Sequence, residues 1–139
     1  MNLGETIDSF NVLSQALFNE LASTTHNKGV RTLALKSKFA VTNRPKMLIT
    51  GFIETFYQFR HLVHEKDYLY FDANVNQVVS TIRNDDLSIL FGAWSSLTES
   101  NKEVMFMYIQ QLLMCCDIYM DIVVGNKRLT CEQENPKEL

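Results

Sequence analysis

Five glycines and two prolines are all that 139 residues contain, and no two glycines fall close together. That scarcity excludes collagen-like and low-complexity chains and removes the Gly-rich loops that cradle phosphates. The Gly-x-Ser-x-Gly, P-loop, Gly-x-Gly-x-x-Gly and His-Glu-x-x-His patterns are all missing, so no enzyme class readable from a motif has support and the chain is expected to be non-catalytic, with no cofactor. A strong excess of one charge is also lacking. Thirteen basic residues stand against 16 acidic ones, a net charge of -3, which does not describe a polybasic chain that wraps nucleic acid along its whole length.

Cysteines number three, and two of them, Cys115 and Cys116, are adjacent within an apolar stretch of helical periodicity. Neighbours on a helix point about 100° apart and cannot form a standard disulfide, which favours a reducing, intracellular setting. Met1–Thr6 carry no basic residue and the segment that follows mixes polar with apolar residues, so no signal peptide is expected. The most apolar run, Val104 to Val124, is interrupted by Gln110, Gln111, Asp117 and Asp121. It is read as a core helix and not as a membrane span, because carboxylates are costly at a bilayer centre.

What is present is helical spacing, with 46% hydrophobic residues and no sustained strict alternation of the kind a half-buried strand shows. The expected fold is all-α, a single compact bundle of about five to six helices over residues 1–125, followed by a flexible tail over 126–139. A first helix capped by Asp8 or Ser9 aligns Phe10, Leu13, Leu17 and Leu21. Val30 to Ala40 is less decided, since Val30, Leu33 and Leu35 fit no single period. Pro45 opens a central helix on which Leu48, Phe52, Phe56, Phe59 and Val63 recur.

The polar and aromatic run between His64 and Asn76 reads as a connector, followed by a short helix ending at Asn84 and another capped by Asp85 or Asp86. The last helix starts at Thr98 or Ser100 and stops at Gly125, with Val104, Tyr108, Leu112, Cys115, Tyr119 and Ile122 on one stripe. Its apolar surface exceeds half the circumference. That makes it the centre of the bundle or part of a subunit interface.

Few residues here could carry chemistry. His61 and His64 share a helix face, but two ligands without a regularly spaced third do not define a zinc site, so no metal is assigned. Cys115 lies on the apolar stripe and reads as a buried small hydrophobe, while Asp85 and Asp86 read as helix-start residues. More informative is the distribution of charge. Between Glu20 and Glu54 there is no acidic residue, whereas Lys28, Arg31, Lys36, Lys38, Arg44 and Lys46 all fall there, leaving the other seven basic residues against all 16 acids. The patch could meet nucleic acid or another polyanion; the alternative is that these side chains solvate a loop and pair with acids elsewhere. Aromatic residues are numerous, and Trp94, Phe106, Tyr108 and Tyr119 are candidates for a face that binds a protein partner or a second copy of the chain.

The block Leu90–Glu103, with its tryptophan, short turn and Asn101-Lys102 helix start, continues into the Tyr108-Ile109-Gln110-Gln111-Leu112 helix face. With Pro45, Phe56, Phe59, Glu65-Lys66-Asp67 and Phe71, it resembles a segment of uncharacterised small helical proteins of large nucleocytoplasmic DNA viruses. The resemblance spans roughly residues 45–112, and Phe106 departs from it where another tryptophan would stand. It transfers no catalytic residue. It implies a virus-encoded, intracellular accessory protein of the host cytoplasm or virion, a component of the virion or virus factory that self-associates.

Overall fold

The computed structural model describes residues 1–64 and 67–134, with side chains described through Asn126 apart from those at positions 65 and 66. Seven α-helices are present among the described residues and no strand, so the protein is all-α. They are α1 (Leu3–Thr25), α2 (Lys28–Asn43), α3 (Met47–Phe56), α4 (His61–His64), α5 (Tyr68–Thr81), α6 (Asp85–Gly92) and α7 (Glu99–Glu134), with 3-10 turns at Tyr57–Phe59 and Trp94–Ser96.

Local chemistry sets the helix starts. Asn2 Oδ1 accepts from Glu5 N at 2.8 Å while Asn2 Nδ2 donates to Glu5 Oε1, so α1 begins five residues or more before the expected Asp8 or Ser9. His26, at φ 54°, ends α1 in the left-handed region, and Asn27 immediately caps α2 through Gly29 N and Val30 N. Asp67 caps α5 by accepting from Tyr70 N at 3.0 Å. The segment read as a connector is therefore helical from Tyr68 onward. Asn84, not Asp85 or Asp86, caps α6, and the two aspartates occupy its first turn, where the dipole favours them. Thr98 Oγ1 accepts from Asn101 N, as expected for the start of α7.

Two further expectations need correction. The central helix is not continuous, because a 3-10 turn at Tyr57–Phe59 separates α3 from the short α4. Nor does Gly125 stop the last helix, since α7 runs on to Glu134; the rest of the segment assigned to a tail, 135–139, lies outside the described residues.

Packing is organised by the α1–α2 hairpin and by α7 lying along α1. Leu17 and Leu21 adjoin Val104 and Met105, while Phe10 and Ser14 share a cavity with Leu112, so α1 and α7 are antiparallel. Aromatic rings fill the centre. Phe56 stacks on Phe91 at 4.8 Å and 10°, and Phe71 meets Trp94 edge-on at 5.0 Å and Phe106 at 5.7 Å. Two buried polar side chains are anchored to backbone: Asn11 Nδ2 donates to the Pro45 carbonyl at 2.9 Å, leaving Asn11 Oδ1 without a partner among the described residues, and Ser37 Oγ donates to Ala34 O. By length and mean hydropathy the stretch Glu99–Asn126 could cross a membrane, yet Met105, Phe106, Ile109, Leu112, Leu113, Cys115 and Cys116 are buried in the protein core.

Candidate functional site

The sequence candidates for a binding face divide in two. Trp94 (1% exposed) and Phe106 (6%) are core residues, both packed against Phe71, and cannot meet a partner while the chain is folded. The expectation that Phe106 is exposed is overturned. Tyr108 and Tyr119 are half-buried and pack against the edge of the core.

The uncovered apolar surface of α7 lies elsewhere. Val104, Met107 and Met114 face outward, the two methionines at 57% and 59% exposure. Spacings of three and seven put all three on one side of the helix, with Gln111 between Met107 and Met114. From Asp117 to Asn126 no residue is fully buried, although Ile118, Tyr119, Met120, Ile122, Val123 and Val124 make that stretch apolar over most of the circumference, with Asp117 and Asp121 on the remaining side. The cause is geometric. At about 1.5 Å per residue α7 extends roughly 54 Å and the 23-residue α1 roughly 35 Å, so the antiparallel α7 outruns the N-terminal end of α1. Methionine side chains suit such a surface because they repack against differently shaped partners.

The basic segment is ordered as α2 and the turn after it. Lys28, Arg31, Lys36, Lys38, Arg44 and Lys46 are all exposed. Of the two readings offered for them, pairing with acids holds for Lys36, which meets Asp86 at 3.2 Å across α6. Among these cations stand two large apolar side chains that the sequence reading passed over, Leu35 at 64% exposure and Phe39 at 71%. The signal was present as a misfit: Val30, Leu33 and Ser37 form the buried side of α2, and Leu35 breaks that period because it points the other way.

The histidine pair is divided. His61 is exposed, whereas His64 Nε2 lies 3.0 Å from Asp117 Oδ2, whose other oxygen accepts the Tyr57 hydroxyl at 2.5 Å. Burial, followed by that hydrogen bond to a carboxylate, pushes Tyr57 up to about 12. No group of three or more His, Cys, Asp or Glu side chains able to hold a metal occurs among the described residues. Cys115 and Cys116 are both buried free thiols, and burial raises both above the ordinary thiol range, which withholds the thiolate a nucleophile needs.

One apolar cavity of about 90 Å³ lies among α1, α2, α3, α6 and α7, lined by Phe10, Phe18, Leu33, Phe52, Leu87 and Leu112 among others. It is well below the several hundred Å³ of a typical cofactor or substrate site. Compared with family models, curated proteins and solved structures, the chain has no significant match.

Proposed function

We propose that this chain is a non-catalytic helical interaction module that self-associates through the uncovered part of α7. The observation that carries the reading is the stretch Asp117–Asn126, nowhere fully buried, in which Ile118, Tyr119, Met120, Ile122, Val123 and Val124 cover most of the helix surface outside the Asp117 and Asp121 side, continuous with the exposed Val104, Met107 and Met114. Such a surface exceeds the isolated apolar residues expected on a monomer and is covered most simply by the same stretch of a second copy. In the setting implied by the resemblance to small proteins of large DNA viruses, the assembly would serve in the virion or the virus factory. Binding of a polyanion through Lys28, Arg31, Lys38, Arg44 and Lys46 is the second reading, favoured by their common exposure.

Sedimentation velocity on the full chain, over a concentration series, tests the first reading. The wild type is expected to form a discrete oligomer, and Met114→Glu combined with Val124→Glu is expected to yield monomers with an unchanged far-ultraviolet circular dichroism spectrum. A wild-type chain that stays monomeric throughout, or an oligomer that survives both substitutions, overturns it.

A further inference from the structure

We propose that the outward crest of α2 docks on the surface of an anionic lipid bilayer. Leu35 and Phe39, four residues apart, stand one above the other on the crest at 64% and 71% exposure. Arg31 lies one turn before Leu35 and Lys38 one turn after it, while Lys36 lies one turn before Phe39 and Lys28 one turn before Arg31. No acidic residue occurs from position 21 to position 53, and Asp86 on α6 is the carboxylate that reaches into the face, at Lys36. Beyond the cations, the α1 side of the face offers neutral Gln15 and Asn19, which line a surface depression with Leu35 and Lys38.

This arrangement fits a membrane interface in two independent ways. Flexible cations flanking the crest meet lipid phosphates and carboxylates, each worth about 1 kcal/mol near an anionic leaflet. Two projecting apolar side chains enter the boundary between headgroups and acyl chains, where water would otherwise hold them. Nucleic acid satisfies the first requirement but not the second. A single-stranded chain is held in a charged groove by successive stacking platforms, whereas this crest sets the one ring of Phe39 beside Leu35, which cannot stack. The inference is separate from the role of α7, because the two faces share no residue.

Flotation of the full chain with lipid vesicles tests the proposal. The wild type is expected to float with vesicles containing phosphatidylserine and not with phosphatidylcholine alone. Leu35→Ser with Phe39→Ser is expected to lower partitioning about tenfold through lost apolar insertion. Arg31→Gln with Lys38→Gln should weaken binding by a similar factor at low salt, with less effect as salt rises. All four positions are solvent-exposed, so circular dichroism should report an intact fold. No flotation with anionic vesicles, or flotation indifferent to loss of Leu35 and Phe39, overturns the proposal. So does tighter retention on DNA or RNA that depends on Arg31 and Lys38 but not on Leu35 and Phe39, which assigns the face to nucleic acid.

Discussion

Trp94 Nε1 donates to Asp72 Oδ1 at 2.6 Å, tying the turn before α7 to the middle of α5. Lys102 Nζ donates to the same oxygen at 2.9 Å and stands 5.8 Å from the Trp94 ring, so one carboxylate joins three elements. These two hydrogen bonds, Trp94 first, hold the Asp72 carboxyl below its ordinary range. A depressed carboxyl contributes stability that is present above the unfolded-state pKa and lost as pH falls through the folded one. Asp72→Asn is therefore expected to flatten the acid limb of the stability profile below about pH 4 and to cost about 1 kcal/mol at neutral pH, discounted for solvent screening. Urea unfolding of both proteins across that range checks this; parallel acid limbs would remove Asp72 from the account.

Tyr57 makes the opposite prediction at the alkaline end. Its hydroxyl is raised to about 12, so its contribution is complete below the unfolded value near 10 and disappears as pH climbs towards 12. Tyr57→Phe keeps the ring and removes the hydrogen bond to Asp117. The variant should lose about 1 kcal/mol at neutral pH and much of the wild-type decline between pH 10 and 12. Ultraviolet titration of the tyrosines, native against unfolded, should show the late titration of Tyr57 vanish in the variant, while the rise that desolvation imposes on Tyr68 persists.

Phe106→Glu distinguishes a core residue from an interface residue. Placing a carboxylate at a 6% exposed site beside Phe71 removes a large apolar side chain and buries a charge, at a cost of at least the 3–5 kcal/mol typical of truncating a core Phe. The variant is expected to unfold or melt far below the wild type, whereas Met107→Glu should leave the melt within a degree or two. A folded, non-associating Phe106→Glu protein would return Phe106 to the binding face.

Residue type conveyed the fold more faithfully than the site. Leu48, Phe52, Phe56, Phe59 and Val63 showed a continuous apolar stripe, and the stripe is real, but a 3-10 turn keeps the same face inward and so escapes a reading based on spacing. In the supposed connector, Phe71 already stood at helical spacing from Val75 and Val78 of the short helix expected after it; Asp72, Asn74 and Asn76 hid that continuity by occupying other faces of α5. Aromatic identity could not separate the core Trp94 and Phe106 from exposed Phe39, since both environments favour large rings. Only packing assigns each to its side.

The thiols give a chemical check on the same packing. Cys115 and Cys116 are buried, and desolvation is the first cause of both raised values, so neither should react with a thiol reagent in the native protein. In a Cys131→Ser background, Ellman's reagent is expected to find no fast-reacting thiol in buffer and both thiols in urea. Rapid modification of the folded protein would show that α7 separates from its neighbours at that level.

Gly51 sits within α3 and Gly125 within α7, and a Cβ built on either meets nothing within 4 Å. Glycine in a helix interior costs up to about 1 kcal/mol relative to alanine, chiefly through the freedom it gives the unfolded chain. Gly51→Ala, in the packed body of the bundle, should raise global stability by about 0.5–1 kcal/mol, a melting shift of about 2–4 °C for a domain near this size. Gly125→Ala adds the same helical preference where α7 has outrun α1, so its effect on the global melt depends on whether that stretch is covered. In a chain that self-associates there, Gly125→Ala should strengthen the oligomer by stiffening the helix that forms it; in a chain that does not, it should leave both the melt and the sedimentation profile unchanged. Sedimentation velocity on the two alanine variants, beside their thermal melts, separates the helix that folds the monomer from the helix that joins one copy to another.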